Sequence, residues 1–164
     1  MSVTIVEPAQ DHAQAIAVIC STGWRQTVAG KFSEEYQLKN TAFWYNEERV
    51  KNDIEQGVYS FVALVDSKVV GVIGGGMTAP AVGEVYVFYL DPAYRYQGIG
   101  RRLLDALTEQ QKAQGAVEQW VSVQEGNKLG LPFYEARGFV YRTKKEETTD
   151  TGELQISLRY SRSI

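Results

Sequence analysis

The spacing of hydrophobic residues along the chain predicts both helices and strands. Within Gly98–Gln114 the apolar residues recur every three or four positions, which is typical of an amphipathic helix. Within Gly83–Leu90 they recur at shorter intervals, and this segment is predicted to be a strand. Strict alternation along that strand predicts that Glu84, Tyr86 and Phe88 share one face of the sheet.

The same patterns predict the remaining elements and the fold class. Further helices are predicted over Ala9–Ser21, Thr41–Gln56 and Leu131–Arg137, with a short helix after Ser33. Further strands are predicted over Val3–Val6, Tyr59–Val65, Val69–Met77, Val117–Val123, Phe139–Lys145 and Glu153–Tyr160. The polar stretch Lys144–Gly152 is predicted to be a hairpin loop. The order β-α-α-β-β-β-α-β-α-β-β predicts a three-layer α/β fold: a mixed, mostly antiparallel sheet with helices on both faces.

Length and composition exclude several classes of protein. The chain has 164 residues, 44% of them hydrophobic, which predicts one folded domain over residues 1–164. Seventeen basic residues against twenty acidic ones argue against a nucleic-acid-binding protein. Neither a signal peptide nor a membrane-spanning run is visible, so we expect no membrane association and a cytoplasmic location.

The single cysteine and the single histidine limit the chemistry further. Cys20 alone cannot form an internal disulfide, and one cysteine with one histidine makes a structural zinc site unlikely, so we expect no metal. Cys20 and His12 lie eight residues apart in one predicted helix, too far apart for a catalytic pair. We interpret Cys20 as a small core residue and His12 as a surface or capping residue.

The segment Leu90–Leu104 carries the main candidate for a binding site. It passes from a predicted strand through a loop into a helix, with Gly98 and Gly100 in the first helical turn. Glycines there let a ligand approach the free backbone N–H groups, which favour an anion. Three arginines add positive charge at the same place: Arg95, Arg101 and Arg102. A pyrophosphate group would suit this arrangement.

Known phosphate-binding motifs do not explain the segment. The P-loop string GxxxxGK[ST] is absent from the sequence. The dinucleotide fingerprint GxGxxG fails because Arg101-Arg102-Leu103 follows Gly100 where the last glycine is required. A glycine-rich helix start without any ligand is the plain alternative.

Two motifs resemble a known family. Arg95-Tyr96-Gln97-Gly98-Ile99-Gly100 resembles the Arg/Gln-x-x-Gly-x-Gly/Ala signature of the GNAT superfamily of acyl-CoA-dependent N-acetyltransferases. Downstream, Asn127, Phe133-Tyr134-Glu135 and Gly138-Phe139 resemble that family's N-x-x-A-x-x-F-Y-E-x-x-G-F segment. The predicted order of elements is similar to the family's fold from end to end.

Three residues depart from the family pattern. Gly130 stands where alanine is frequent, Tyr96 stands where glycine is frequent, and Pro132 removes an N–H group in the last helix. Either that helix begins near Leu131, with the proline in its first turn, or it is kinked.

The resemblance implies acetyl-CoA as the co-substrate and assigns residues to it. The backbones of Phe88 and Leu90 would line its pantetheine arm, with the Leu90 N–H polarising the acetyl carbonyl. Asn127 would also bind the arm through a hydrogen bond. The pyrophosphate would be held by backbone N–H groups of Arg95, Tyr96, Gln97, Gly98, Ile99 and Gly100, and by Arg101.

The chemistry of acetyl transfer needs a proton acceptor for the amine and a donor for the thiolate. By the same resemblance Tyr134 is the candidate acid beside the cofactor's sulfur, and the alternative is a packing tyrosine whose hydroxyl only binds the cofactor. Glu84 is the candidate base, and an ordinary exposed strand residue is the alternative. Tyr86 and Trp24 are weaker candidates for the acceptor site. Trp24 and its aromatic neighbours would otherwise pack the first helices on the sheet; these neighbours are Tyr36, Trp44 and Tyr45.

These assignments predict an N-acetyltransferase that transfers an acetyl group directly to a primary amine in a ternary complex. The alternative is a non-catalytic module of the same fold that binds acyl-CoA as a sensor or scaffold. The acceptor is a small-molecule or peptide amine whose identity the sequence leaves open. The exposed last strands would allow a homodimer.

Overall fold

The computed structural model describes residues 2–164, which build one seven-stranded sheet with helices on both faces. The strands are β1 (Val3–Val6), β2 (Phe61–Val65), β3 (Lys68–Ala79), β4 (Val82–Leu90), β5 (Glu118–Gln124), β6 (Val140–Thr148) and β7 (Leu154–Ser163). Their order across the sheet is β1-β2-β3-β4-β5-β7-β6. Every pair is antiparallel except β4 and β5, which the crossover helix makes parallel. The predicted fold class is confirmed.

Five α-helices cover the two faces of the sheet. They are α1 (Ala13–Val28), α2 (Glu34–Trp44), α3 (Glu47–Glu55), α4 (Ile99–Ala113) and α5 (Gly130–Ala136). On one face, the predicted apolar stripe of α4 is confirmed, because Leu103, Leu104 and Leu107 are all fully buried. On the other face, α1 and α3 bury a second cluster that includes Ile16 and Val50. We call these the α4 face and the α1 face.

The N-terminal helices differ from those predicted. Helix α1 begins at Ala13 and continues to Val28, beyond the predicted end at Ser21. The single helix predicted over Thr41–Gln56 is wrong. Helix α2 ends at Trp44 and a separate helix, α3, begins at Glu47. The Asn46 side chain caps α3, because it accepts a hydrogen bond from the Arg49 N–H at 2.7 Å. Three α-helices therefore separate β1 from β2, where the predicted element order counts two. The short helix predicted after Ser33 is the start of α2.

The last hairpin is longer than predicted. The predicted loop Lys144–Gly152 is wrong over its first half, because β6 continues to Thr148 and β7 begins at Leu154. Only the tip is irregular, and there the Thr149 N–H donates to the Glu153 carbonyl at 2.8 Å. The polar composition of this segment reflects exposure, since all nine residues of β6 are exposed.

A β-bulge at Tyr86 overturns the predicted faces of β4. Val85 pairs with Gly75 and Val87 pairs with Gly74, so Tyr86 has no partner on β3. The extra residue shifts the alternation by one position. Phe88 therefore packs on the α4 face, whereas Val87 packs on the α1 face.

Candidate active site

The centre of the sheet opens between its two parallel strands. β4 and β5 are paired only from Val82–Glu118 to Val85–Val121. Beyond this point β4 continues beside β3, and β5 continues beside β7. Among the described residues, the β5-facing edge of Tyr86–Leu90 therefore has no strand partner. A cleft with free backbone donors and acceptors results, which an extended ligand can occupy as a substitute strand.

The loop after β4 brings the cleft to the start of α4. The Asp91 side chain accepts from the Ala93 N–H at 2.9 Å and holds a short 3₁₀ turn. Tyr96 and Gly98 then adopt left-handed conformations, with φ of 64° and 82°. The left-handed backbone at Tyr96 gives a physical reason why glycine is frequent there in the family.

The first turn of α4 is built to receive an anion. Gly98 precedes the helix and supplies no side-chain cap, and the first N–H to bond within the helix is that of Arg102, at 3.2 Å from the Gly98 carbonyl. The N–H groups of Ile99, Gly100 and Arg101 are thus left without helical partners. These donors fit a pyrophosphate.

The arginines of this loop separate into different roles. Arg95 donates to the Gln26 side chain of α1 at 2.8 Å, and Arg102 donates to the Val3 carbonyl of β1 at 3.0 Å. Both tie the loop to the rest of the fold. Arg101 is exposed and makes no ion pair within residues 2–164. It is the arginine best placed to meet a ligand's charge.

Tyr134 lies against the cleft on α5. Its side chain is 7% exposed and packs edge-on against Phe88 of β4, with the ring centroids 6.3 Å apart. Phe133 and Phe139 make similar edge contacts at 5.5 and 5.2 Å. Burial raises the pKa of the Tyr134 hydroxyl, so the group keeps its proton throughout the neutral range.

Asn127 has a structural role that the sequence did not indicate. Its side-chain oxygen accepts from the N–H groups of Leu129 and Gly130, at 3.2 and 2.9 Å, and so caps α5. A Cβ at Gly130 would lie 2.7 Å from the Asn127 amide nitrogen, so an alanine there would require the Asn127 side chain to shift. Pro132 falls in the first turn of α5, as one of the two sequence alternatives predicted. The amide nitrogen of Asn127 makes no hydrogen bond in the part of the chain that is described.

Glu84 lies on the α1 face, in an ion pair that the sequence did not reveal. Both its carboxylate oxygens accept from Arg159 of β7, at 3.0 and 3.1 Å. Arg159 also donates to Ser122 at 2.8 Å and lies 5.1 Å from the centre of the Trp120 ring. Arg159 lies on β7, two strands away from Glu84 on β4. The one sequence signal that could have suggested this ion pair is the charged residue between apolar neighbours in the last strand.

These side chains form a surface beside the cleft that we call the open face. It consists of Glu84, Tyr86, Trp120, Ser122 and Arg159. Tyr86 is 52% exposed, and its hydroxyl would lie 3.2 Å from a Cβ at Gly76, so the ring leans over the glycines of β3. Because of the bulge, Phe88 does not belong to this surface.

A segment between α1 and α2 reaches across to the far strands. Lys31 donates to the Glu125 carbonyl at the end of β5, and the Ser33 N–H donates to the Glu153 carboxylate at 2.8 Å. The Tyr36 hydroxyl reaches the Gln155 side chain at 3.5 Å. We call residues 31–36 the bridging segment. It lies across the end of β5 that borders the cleft.

The other predicted aromatic residues have mixed positions. Trp24 is half-buried and packs edge-on against Tyr36 at 6.0 Å, beside the bridging segment. Trp44 is exposed and stacks under Arg49 at 4.5 Å, and Tyr45 packs into the α1-face core. Of these residues, Tyr36 belongs to the bridging segment and Trp24 contacts it.

The predictions for Cys20 and His12 are confirmed. Cys20 is fully buried, and burial raises the pKa of its thiol, so it is held as a protonated core residue. The His12 ring nitrogen accepts from the Ala9 N–H at 2.9 Å and caps the turn before α1. Among residues 2–164 no group of three or more potential metal ligands comes together. The helices of this same range include none with the length and apolar character needed to cross a membrane.

Comparisons with known proteins agree with this architecture. Residues 22–139 match the model of the acetyltransferase (GNAT) family. The chain is 27% identical to a spermidine N(1)-acetyltransferase of Thermoplasma acidophilum, over 98% of this chain and 99% of that protein. A [ribosomal protein bS18]-alanine N-acetyltransferase of Escherichia coli K12 is 34% identical over 89 residues, which are 48% of this chain and 60% of that protein.

A solved structure has the same fold at similar identity. It is the PaiA N-acetyltransferase from Thermoplasma acidophilum in complex with coenzyme A, with a TM-score of 0.77 and 27% identity. The match covers 96% of this chain and 98% of that one. The family model spans more than half of the chain and includes both sequence motifs. The chain therefore belongs to the GNAT family of acetyltransferases, as the two motifs predict.

Proposed function

We propose that the protein transfers an acetyl group from acetyl-CoA to a primary amine, which attacks directly in a ternary complex. The observation that carries this proposal is the cleft between β4 and β5. It leads from the free N–H groups at the start of α4 to Phe88, against which the Tyr134 ring packs. When bound there, acetyl-CoA supplies a thioester carbonyl that an amine can attack.

The chain's own groups would bind and orient this co-substrate. The N–H groups from Tyr96 to Arg101 would bind a pyrophosphate at the start of α4, whereas the Arg95 N–H already donates to the Pro92 carbonyl at 3.4 Å. The unpaired edge of Tyr86–Leu90 offers hydrogen bonds to the pantetheine arm. The free amide nitrogen of Asn127 can donate to the same arm, since its oxygen is occupied by the cap. The Leu90 N–H is our candidate donor to the acetyl oxygen.

Tyr134 is our candidate for the acid that protonates the departing thiolate. Its raised pKa keeps the hydroxyl protonated, and its aromatic neighbours hold the ring in place beside Phe88. Cys20 is buried in the α1-face core, which argues against an acyl-enzyme on its thiol.

Replacing Tyr134 by Phe tests this role. We expect Tyr134→Phe to lower kcat by about a hundredfold while changing the KM for acetyl-CoA little, because general acids contribute on that order. Steady-state kinetics of thiol release would measure both constants. Tyr141→Phe, at an exposed position on β6, is the matched control and should leave both unchanged. A kcat within twofold of the wild-type value for Tyr134→Phe would remove Tyr134 from this role.

The pair of Glu84 with Arg159 changes our interpretation of Glu84. Both carboxylate oxygens are occupied by the guanidinium, so taking a proton would break a hydrogen bond of a partly buried ion pair. We therefore propose that water accepts the proton of the amine. In this proposal Glu84 is a positioning residue that neutralises Arg159 on the open face, where a cationic amine approaches.

Glu84→Gln separates these two roles. It leaves Arg159 uncompensated, so we expect the KM of the amine to rise about tenfold, equivalent to about 1.4 kcal/mol, with the pH profile of kcat/KM unchanged. The double variant Glu84→Gln with Arg159→Gln restores neutrality and should recover most of the loss. Disappearance of the acidic limb of the pH profile in Glu84→Gln would instead establish Glu84 as the base.

We propose a small polyamine as the acceptor. The name of the full-length relative, a spermidine N(1)-acetyltransferase, supports this class. Three carboxylates lie close enough to the Tyr36 hydroxyl to raise its pKa, after burial itself: Asp150, Glu153 and Glu147. Hydrogen bonds from Ser33 lower the pKa of Glu153, which keeps it ionised. These charges would attract the distal ammonium groups of a polyamine at the edge of the bridging segment.

A panel of amines tests the function and the acceptor together. Thiol release would be followed with putrescine, spermidine, spermine and a peptide that begins with alanine. We expect kcat/KM for spermidine to exceed that for the peptide by at least about tenfold, since only the polyamine carries distal cations. A preference for the peptide would overturn the acceptor proposal. Binding of acetyl-CoA without turnover of any amine would favour the sensor alternative.

A homodimer and a cytoplasmic location stay predictions from the sequence.

A further inference from the structure

A second cavity lies on the α4 face, away from the cleft. It has a volume of about 530 Å³ and is bounded by α4, the end of α5 and the strands β6 and β7. Thr108 and Lys112 of α4 contribute to its wall. They follow Gly100 by 8 and 12 residues, so they lie roughly 12–18 Å further along the helix than the pyrophosphate loop. The wall formed by Thr108 and Lys112 therefore lies away from the candidate active site, whereas Arg137 lies at the end of the cavity nearer to it, where burial and then the charge of Arg101 lower the Arg137 pKa.

Arg162 forms the buried side of this cavity. It donates to the Thr108 hydroxyl at 3.0 Å, to the Gln119 side chain at 3.1 Å and to the Arg137 carbonyl at 2.9 Å. All three acceptors are neutral. Burial lowers the pKa of Arg162, and the nearby charge of Arg137 lowers it further, although Asp105 partly offsets both effects. The site thus holds positive charge that its hydrogen-bond partners do not neutralise.

Arg137 adds a second guanidinium with incomplete bonding. It donates to the Phe133 carbonyl at 3.0 Å and stacks 3.8 Å from the centre of the Phe133 ring. Its Nε is buried and has no hydrogen-bond partner among the described residues. A buried donor without a partner is costly, so the charge of Arg137 is held at this end of the cavity without full hydrogen bonding.

The balance of charge around the cavity is positive. Arg142 donates to the Ser161 hydroxyl at 2.8 Å, and neither it, Arg137 nor Arg162 forms an ion pair within residues 2–164. Lys112 is paired only with the exposed Glu109, at 3.7 Å. Asp105 is the one carboxylate side chain in the described lining. Among the described lining side chains, four cations therefore stand against the single carboxylate of Asp105, while Glu109 pairs with Lys112 from outside the lining.

We propose that this cavity is a binding site for a small oligophosphate anion such as pyrophosphate. Guanidinium groups bind phosphate oxygens through paired hydrogen bonds, and three arginines line this cavity. The volume exceeds that needed for a single small ion. The described lining contains no aromatic side chain on which a base would stack, which favours an oligophosphate over a nucleotide.

Calorimetric titration of pyrophosphate tests the proposal. The protein is first saturated with CoA, so that the loop before α4 is occupied and only a second site remains to be filled. We expect saturable binding with one site per chain. We expect adenosine monophosphate, titrated in parallel, to bind at least about tenfold more weakly, because it offers fewer charges and its base has no stacking partner.

Two substitutions at exposed lining positions locate the site without disturbing the buried Arg162. Lys112→Gln and Arg142→Gln should each weaken pyrophosphate binding about tenfold. The matched control is Lys145→Gln on the same strand as Arg142, outside the cavity, which should leave the affinity unchanged. Absence of binding to the CoA-saturated protein, equal weakening by Lys145→Gln, or tighter binding of adenosine monophosphate would each overturn the proposal.

Discussion

The separation of β4 from β5 beyond Val85 and Val121 is the constraint on which the rest of the site depends. While the two strands are paired, their backbone groups satisfy one another and no ligand can enter between them. Once they diverge, one edge of β4 stays hydrogen-bonded to β3, and its other edge is free to bind a ligand in the cleft. The bulge at Tyr86 falls at the point of divergence, and it turns Phe88 toward the α4 face, where it meets Tyr134.

The two faces of the sheet consequently take different tasks. The α4 face holds Tyr134 and the start of α4, which are the groups suited to the thioester and to the pyrophosphate of acetyl-CoA. The α1 face holds the pair of Glu84 and Arg159, beside the exposed Tyr86. The cleft is where the two meet, so in the proposed reaction an amine approaching the open face would reach a co-substrate held from the other side.

The sequence predicted the parts of the site that lie on contiguous motifs. The glycines at the start of α4, the tyrosine of α5 and the apolar stripe of α4 depend on local patterns, and each lies on the element predicted for it, while the roles of the glycines and the tyrosine stay predictions. The bulge was not predictable from the sequence. A strand with an extra residue at Tyr86 and a strand without one would show the same pattern of apolar residues. Arg159 was missed because the contact joins β4 to β7 across the intervening β5. The break at Asn46 was hidden for a different reason: asparagine acts as a helix cap only when the chain before it has turned away.

The central claim is that CoA lies between β4 and β5 and against the first turn of α4, and hydrogen exchange tests it most directly. Deuterium uptake would be compared by mass spectrometry with and without CoA. The account predicts slower exchange in peptides that cover Tyr86–Leu90 and Tyr96–Arg101, because their free N–H groups gain partners. Unchanged exchange in both segments, with protection confined to other parts of the chain, would contradict it.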